Sequence, residues 1–321
     1  MRVLITGITG FVGSHLAEHI LSTGPDAELF GLRRWRSAGE EPAGGAVVRV
    51  VEGDLLDPSS LQRALQASRP DVIFHLAASS SVAASWDTPA QIMQVNTMGT
   101  LSLLEVARQL DLDASIVLAC SAEPYGLVRP EELPITEEQA FRPLSPYAVS
   151  KAAVDLLGYQ YYQTFRLRTV RLRPFNHVGP RQSDRFVISS LARQIAEIET
   201  ERRPPQVHVG NLDARRDFLD VRDVARAYWL AGTKGVAGEA YNVASGRTRS
   251  VREVLDHLLS LTDAALDVVV DPARLRPSEV PVLQGDGSRF HDATGWEPLI
   301  PFEQTLFDTL EYWRHHLPQR G

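Results

Sequence analysis

Short apolar runs alternate with longer helical stretches along the first 175 residues, and this rhythm constrains the fold more than any other feature. The runs read RVLIT, AELFGL, VVRVV, DVIFHLA, SIVLA and TVRLR, and helix-like stretches at residues 11–22, 61–67, 92–110 and 147–165 lie between them. Strand followed by helix, repeated, predicts crossover connections and a parallel sheet that is buried on both faces. Ligands bind such sheets at the carboxyl ends of the strands, so the residues that follow each run are the first candidates for function.

Beyond residue 175 the rhythm breaks into loops rich in proline, arginine and glycine. Helix-like stretches remain at residues 187–199, 221–231, 251–261 and 302–315. We expect a nucleotide-binding domain at residues 1–173, to which the chain returns around 212–242, and a smaller, mostly helical substrate-binding cap at 174–321. Because no linker or repeat separates the two parts, the sequence predicts one integrated unit with a cleft.

Composition excludes several classes of protein. The chain has 321 residues, a net charge of −7 and 44% hydrophobic residues, which is typical of a globular protein and argues against nucleic acid as a partner. No apolar run is long enough to span a bilayer, and MRVLITGITG lacks the parts of a signal peptide, so we expect no membrane partner and a cytoplasmic location. Cys120 stands alone and is expected to be a buried, inert thiol. No group of His, Cys and carboxylate residues has metal-ligand spacing, so no metal is expected.

The segment ITGITGFVG places Gly7, Gly10 and Gly13 between the first predicted strand and the first predicted helix. A turn this tight needs residues without a Cβ atom, and its free N–H groups together with the positive helix end can hold a pyrophosphate. The alternative is a glycine turn without a ligand. The strand before it and the helix after it favour a Rossmann-type dinucleotide site.

The end of the second strand distinguishes between coenzymes. An acidic residue there would bind the adenosine ribose of NAD(H), but the sequence has Arg33 and Arg34 in FGLRRWRS. Guanidinium groups favour the 2′-phosphate of NADP(H), although a solvated basic loop is the alternative. Asp54, in EGDLLD, is placed to meet the adenine, or else caps the following helix.

The segment SPYAVSK carries the reactive groups. Ser145 and Pro146 are typical of a helix start, so Tyr147 and Lys151 fall four residues apart on one helical face. A tyrosine hydroxyl has a pKa near ~10, and a neighbouring ammonium, together with the positively charged nicotinamide ring of an oxidised coenzyme, is expected to lower it. Ser121 ends the strand SIVLA at the same sheet edge, where its hydroxyl could bind a carbonyl or alkoxide oxygen. An amphipathic helix with a chance Tyr and Lys is the alternative.

These residues resemble the extended branch of the short-chain dehydrogenase/reductase superfamily, which acts on nucleotide sugars. The similarity extends over nearly the whole chain through TGITGFVGSHLAEHIL, DVIFHLAA, NTMGTLSLLEVAR, RPFNHVGPRQ, RRDFLDVRDVARAYWL and YNVASG. Within that branch, FNHVGPRQ, GNLDARRDF and RPSEV are similar to the enzymes of GDP-mannose derivatives.

The resemblance implies further site residues. The additional coenzyme contacts that it implies are Phe11, Val12, Leu55, Leu76, Ala77, Ala78, Asn96 and Pro174. The contacts that it implies for a GDP-linked sugar are Ser81, Asn176, Val187, Arg193, Arg216, Arg276 and Glu279. Asn96 would orient the helix that carries Lys151, and Arg193 would replace a basic residue missing where Ser189 and Ser190 stand.

Two kinds of enzyme in this branch share the fold and the Ser or Thr, Tyr and Lys set. Reductases use NADPH to convert the 4-keto group of GDP-4-dehydro-6-deoxy-D-mannose to GDP-D-rhamnose. The 4,6-dehydratases use a glutamate, here Glu123, as a base during loss of water from GDP-mannose. Ser121 in place of threonine, Ser189 and Ser190, and Pro281 after RPSEV favour the reductases, and the dehydratases remain the alternative.

Two further alternatives are weaker. An epimerase would prefer NAD with an acidic residue after the second strand, and a redox sensor without turnover would not need Tyr147 and Lys151 together. The resemblance also implies a homodimer, formed through the helices at residues 92–110 and 147–165.

Overall fold

The computed structural model describes residues 1–24, 26–34, 44–275 and 280–317. Within this part of the chain the strands are β1 Arg2–Thr6, β2 Glu28–Arg33, β3 Arg49–Glu52, β4 Val72–His75, β5 Ser115–Ala119, β6 Thr169–Pro174, β7 Asn176–Val178, β8 Gln206–Val209, β9 Arg215–Asp220, β10 Ala240–Val243, β11 Thr248–Ser250, β12 Asp267–Val270 and β13 Val282–Leu283. The α-helices are α1 Phe11–Thr23, α2 Pro58–Ser68, α3 Val82–Asp87, α4 Pro89–Met93, α5 Gly99–Gln109, α6 Pro146–Phe165, α7 Val187–Glu199, α8 Val221–Lys234, α9 Val251–Leu259, α10 Ser288–Thr294 and α11 Phe302–His316.

The main sheet is parallel and doubly wound. In the described residues it has seven strands in the order β10-β6-β5-β4-β1-β2-β3, and every pairing between neighbours is parallel. Strand order reverses between β1 and β4, which is where sheets of this type open a crevice for a dinucleotide. The predicted α/β fold class is confirmed.

Two apolar cores cover the two faces of this sheet. One packs α1 and α8 against it through residues such as Leu16, Ile20 and Val224. The other packs α2, α5 and α6 through residues such as Leu61, Leu103 and Val154. Because both faces are covered, the strands consist largely of buried apolar residues, and this is why their sequences stand out as apolar runs.

The cap combines its helices with short strands. Helices α7, α9 and α11 share a third apolar core. Strand β9 pairs with β7, β11 and β13, and β12 pairs with β8. These cap strands are two to six residues long, too short to show a period-2 pattern, so the sequence did not reveal them. The chain returns to the main sheet with β10, which pairs with β6.

The helix predicted at residues 92–110 is interrupted. A π-helical turn, Gln94–Met98, joins α4 to α5. Such turns are rare and often lie at functional sites. Here the turn contains Asn96, whose amide binds Ser79 and Ser150.

A buried ion pair fastens α6 to β6. Arg173 Nε donates to Asp155 Oδ2 at 2.7 Å and Arg173 Nη2 donates to Asp155 Oδ1 at 2.9 Å, and their side chains are only 6% and 1% exposed. Burial alone would raise the pKa of Asp155, but hydrogen bonds and charge from Arg173 and Arg171 hold this pKa below its usual value. Arg173 also donates to the Tyr125 hydroxyl at 2.9 Å. The helix of Tyr147 and Lys151 is therefore held to the sheet by a charged contact that excludes water.

The turn between β1 and α1 leaves no room for a side chain at Gly7. Its φ is +73°, and a Cβ atom there would lie 2.8 Å from the backbone nitrogen of Ala77, just after β4. Gly295 offers a matched comparison, because its φ is +74° and no atom lies within 4 Å of its Cβ position.

We predict that Gly7→Ala destabilises the protein more than Gly295→Ala does. Both variants strain a left-handed backbone, at about 1–2 kcal/mol, but only Gly7→Ala forces the turn away from Ala77, which adds about 1–3 kcal/mol. Urea unfolding of both variants measures the difference. If both variants lose the same free energy of unfolding, the turn at Gly7 is not in close contact with the backbone after β4.

A second prediction concerns the buried ion pair. Arg173→Met is expected to lower the free energy of unfolding by about 3 kcal/mol or more, since it leaves much of the Asp155 charge uncompensated. Arg168→Met is the control, because Arg168 meets Asp113 at 3.2 Å with side chains that are 54% and 89% exposed, and such pairs contribute about 0–1 kcal/mol. If urea unfolding gives similar losses for both variants, the buried pair is not a principal attachment of α6.

Candidate active site

A cavity of about 280 Å³ opens at the carboxyl edge of the main sheet, between the sheet and the cap. The predicted site residues that line it are Gly7, Gly10, Phe11, Val12, Gly13, Leu76, Ala78, Ser81, Ser121, Glu123, Tyr147, Lys151, Pro174 and Asn176. Coenzyme, catalytic and sugar candidates therefore border one space.

The dinucleotide end of the cavity fits a pyrophosphate. Helix α1 begins at Phe11 after Gly10, without a side-chain cap and without an acidic residue in its first turn. A Cβ atom at Gly13 would lie 2.2 Å from the Gly7 carbonyl oxygen. The backbone N–H groups at this helix start are therefore closely approachable, and their partial positive charge suits a phosphate anion.

Helix α6 presents Tyr147 and Lys151 to the cavity. The Ser145 hydroxyl accepts a hydrogen bond from the Ala148 N–H at 3.1 Å and so caps the helix start, as the sequence indicated. Tyr147 is 8% exposed and Lys151 is 5% exposed, and both line the cavity. Lys151 Nζ donates to the Ala119 carbonyl oxygen at the end of β5, at 2.6 Å. This bond fixes the ammonium at the sheet edge.

The pKa values of these two groups follow from burial. Burial lowers the pKa of Lys151 to about 8, so the amine is still mostly protonated at neutral pH. Burial raises the pKa of Tyr147 well above its ordinary value, the hydrogen bond with Ser121 lowers it in part, and the charge of Glu123 raises it again. Without coenzyme this pKa is therefore raised, because loss of hydration outweighs the hydrogen bond with Ser121. The lowering expected with bound, oxidised coenzyme stays a prediction.

Ser121 and Glu123 follow β5 and complete this side of the cavity. The Ser121 hydroxyl hydrogen-bonds with Tyr147 and accepts from the Glu123 N–H at 3.1 Å. Glu123 begins a short 3₁₀ turn, Glu123–Tyr125. A hydroxyl pair and a carboxylate thus line the same cavity as Lys151.

Asn96 lies behind the cavity rather than in its lining. Its Nδ2 donates to Ser150 Oγ at 2.9 Å, and Ser150 Oγ donates to the Tyr147 carbonyl oxygen at 2.7 Å. Its amide also binds both backbone groups of Ser79, at 2.8 and 3.0 Å. These contacts orient α6 relative to the loop after β4.

Besides Asn96, four predicted coenzyme residues lie outside the cavity lining. Arg33 ends β2, and its carbonyl oxygen accepts from the Gly53 N–H at 3.1 Å. Asp54 Oδ1 accepts from the Leu56 N–H at 2.9 Å, so Asp54 does not cap α2; Asp57 does, by accepting from Ser59. Leu55 is buried in the core. The backbone of Ala77 supports Gly7, as described above.

Among the predicted sugar contacts, Asn176 has the clearest ligand-like geometry. Its side-chain oxygen is buried in the cavity wall without a hydrogen-bond partner in the described residues. A buried orphan acceptor is costly unless a ligand supplies a donor. Val187 begins α7 and is exposed, and its neighbour Phe186 lines the cavity instead.

The arginine candidates lie differently from expectation. The Arg193 side chain pairs with Asp184 and Glu197 and covers the Trp313 ring, so its charge is used within the cap. Arg216 is in β9, and its Nη1 donates to the Arg215 carbonyl oxygen at 2.9 Å. Neither residue is in the cavity lining. Arg276 and Glu279 lie outside the described residues.

The structure adds cavity residues that sequence reasoning missed. Among them are Phe175, His177, Gln182, Arg185 and Tyr228. Burial lowers the pKa of His177, and its ring stacks on Phe11 with centroids 6.0 Å apart, so this histidine is packed in the cavity wall. Gln182 belongs to FNHVGPRQ and Tyr228 to RRDFLDVRDVARAYWL, so both lie in segments that carry the resemblance, although neither was assigned a role.

Other kinds of site have no counterpart in the part of the chain that the structure describes. It contains no group of three or more His, Cys, Asp or Glu residues that could hold a metal ion. None of its helices combines the length and the apolar character needed to cross a bilayer. Cys120 is a free, buried thiol whose pKa is raised by burial.

Comparison with known proteins identifies relatives along nearly the full length. GDP-6-deoxy-D-mannose reductase from Pseudomonas aeruginosa is 38% identical over 97% of this chain and 97% of its own. GDP-mannose 4,6-dehydratase from Vibrio cholerae is 32% identical over 94% of this chain and 91% of its own.

Solved structures agree with these relatives. The structure of RMD from Pseudomonas aeruginosa complexed with NADPH has a TM-score of 0.84 and 35% identity, and the alignment covers 98% of this chain and 99% of that one. UDP-glucose 4-epimerase from Thermus thermophilus, in complex with NAD, has a TM-score of 0.86 and 32% identity, with 99% and 100% covered.

The family model described as GDP-mannose 4,6 dehydratase matches residues 4–309. With the relatives above, this match shows that the chain is an extended short-chain dehydrogenase/reductase of the GDP-mannose 4,6-dehydratase family.

Proposed function

We propose that this chain catalyses the NADPH-dependent reduction of the 4-keto group of GDP-4-dehydro-6-deoxy-D-mannose to GDP-D-rhamnose. The observation that carries the proposal is that Ser121, Tyr147 and Lys151 border the same cavity as the glycine turn. The reductase from Pseudomonas aeruginosa is more similar in sequence, at 38% identity, than the dehydratase from Vibrio cholerae, at 32%.

Bound NADPH supplies the hydride for the keto carbon. Tyr147 supplies the proton that the carbonyl oxygen needs as it gains negative charge. Its raised pKa keeps the phenol protonated across the neutral range, which suits a proton donor. Ser121, hydrogen-bonded with Tyr147, holds the same oxygen and stabilises the developing charge.

Lys151 binds the coenzyme and orients it in the cavity. One of its three N–H groups is used by the Ala119 carbonyl oxygen, and the others can reach ribose hydroxyls of the coenzyme. Its charge also favours the tyrosinate that is left after proton transfer. Asn96 contacts α6 through Ser150 and so helps to fix the positions of Tyr147 and Lys151.

Residues in and beyond the cavity lining support the remaining ligand contacts. Arg33 at the end of β2, followed by Arg34, favours NADP(H) over NAD(H), and the relative from Pseudomonas aeruginosa was solved with NADPH. The orphan oxygen of Asn176 can accept a hydrogen bond from the sugar nucleotide, and Ser81 lines the same wall.

The working form that we propose is a cytoplasmic homodimer. Exposed apolar side chains on α6 and on the neighbouring π-helical turn support this assembly, and they are Met98, Val149, Leu156, Tyr159 and Phe165. A second copy that covers them would remove this apolar surface from water.

GDP-mannose 4,6-dehydratase activity is the second candidate, because the Glu123 side chain lines the cavity beside Tyr147 and could act as the base for loss of water. Substrate specificity distinguishes the two. We expect the purified protein to oxidise NADPH with GDP-4-dehydro-6-deoxy-D-mannose and not with GDP-mannose. The loss of NADPH absorbance measures this oxidation. Formation of a keto sugar from GDP-mannose, without net NADPH consumption, would establish the dehydratase instead.

Tyr147→Phe is expected to lower kcat by about 10²–10⁴-fold, since it removes the proton donor and leaves the ring in place. Its dissociation constant for NADPH, measured by fluorescence titration, should change little. Tyr162→Phe is the control on the same helix, because Tyr162 is not in the cavity lining. Full turnover by Tyr147→Phe would contradict the proposed role.

A further inference from the structure

Tyr228 is a cavity residue that neither the sequence motifs nor the proposed chemistry explains. It lies on α8 and is only 2% exposed, within the apolar core between α8 and the main sheet. It also lines the active-site cavity. One side chain therefore belongs to the core and to the site.

The direction of α8 explains how Tyr228 reaches the cavity. This helix leads into β10, which is parallel to β6, so α8 runs opposite to the strands and begins at their carboxyl edge. Side chains on a helix tilt towards its N-terminus. The ring of Tyr228 therefore leans towards the cavity, whose lining it shares with Cys120 and Tyr147.

The Tyr228 hydroxyl lacks the partner that a buried tyrosine normally has. Tyr125 donates to Asn242 at 2.8 Å, Tyr161 donates to Glu105 at 3.1 Å, and the Tyr241 hydroxyl accepts from the Val236 N–H at 3.2 Å. No described residue forms a hydrogen bond with the hydroxyl of Tyr228. It is not among the fully enclosed polar atoms without a partner either, so it is open to the cavity. A buried hydroxyl without a protein partner can form its hydrogen bond with a bound ligand.

The core that contains Tyr228 reaches the cavity. Val12, Leu76 and Ala119 are packed against this core and also line the cavity, and they lie at the start of α1 and at the ends of β4 and β5. These are positions of the coenzyme side of the cavity, whereas the candidates for the sugar, Ser81 and Asn176, come from α3 and β7.

The position of Tyr228 along the sheet edge indicates which half of the coenzyme it contacts. The pyrophosphate candidates lie at the turn after β1, and Arg33 ends β2 on the adenosine side. Cys120 and Tyr147 lie on the other side, beyond β4 and towards β5, where Lys151 also binds. The coenzyme half on that side is the nicotinamide half.

We propose that the Tyr228 hydroxyl hydrogen-bonds the nicotinamide half of NADPH and is a coenzyme-binding residue of this enzyme. The inference rests on the proposed function, which supplies the coenzyme. A hydroxyl both donates and accepts, and so complements a carboxamide or a ribose hydroxyl. The residue thus links coenzyme binding to the helix that packs beneath the sheet.

The test compares Tyr228→Phe with wild type in binding and in stability. We expect the dissociation constant for NADPH to rise about 2–10-fold, the effect of one neutral hydrogen bond. Binding of adenosine 2′,5′-bisphosphate, which lacks both the nicotinamide and its ribose, should be unchanged, as should the KM for the keto sugar. The thermal midpoint without ligand should stay equal or rise, because the hydroxyl bonds to no described group.

Tyr241→Phe is the matched control. Its hydroxyl is used inside the protein, so this variant should lose thermal stability and keep its affinity for NADPH. Equal weakening of NADPH and adenosine 2′,5′-bisphosphate in Tyr228→Phe would overturn the inference, as would unchanged NADPH affinity, whether or not the KM for the sugar rises. Failure of the wild type to bind NADPH would overturn the proposed function together with this inference. The two failures are distinguishable, because the inference alone fails when the wild type still binds NADPH.

Discussion

The hydrogen bond from Lys151 Nζ to the Ala119 carbonyl oxygen joins the two elements that form the reactive side of the cavity. It connects α6 to the end of β5, and it places an ammonium where the sheet opens. Burial lowers the pKa of Lys151 to about 8, so the charge survives at neutral pH although water is largely excluded. A cation in such a place is stable only with oxygen partners, which makes the site attractive to ribose hydroxyls.

Around this ammonium, the protein builds a proton donor rather than an acidified phenol. Burial keeps the proton on Tyr147, and Ser121 orients the hydroxyl. The Asp155–Arg173 pair holds the middle of α6 to β6, while Asn96 and Ser150 hold its first turn. Catalytic geometry therefore depends on buried polar contacts from three neighbouring elements, each of which would be expensive to break.

The sequence predicted the sheet well because parallel strands buried on both faces appear as apolar runs. It predicted α7 at residues 187–199 and the Ser145 cap because both follow from local pattern. The short cap strands and the π-helical turn at Asn96 depend on tertiary contacts and left no periodic signal. Arg193 resembled a ligand contact in sequence, but folding brings Asp184 and Glu197 to it. Tyr228 was missed for the opposite reason, since an aromatic residue on a buried helix face resembles ordinary core.

The central claim is that hydride passes between bound coenzyme and carbon 4 of the sugar while Tyr147 provides the proton. The most direct measurement uses NADPH that carries deuterium at its transferable position, with GDP-4-dehydro-6-deoxy-D-mannose as substrate and the product analysed by NMR. The account predicts deuterium at carbon 4 of the product, at one deuterium per NADPH consumed. Product without deuterium at carbon 4, or with deuterium at carbon 6, would contradict it.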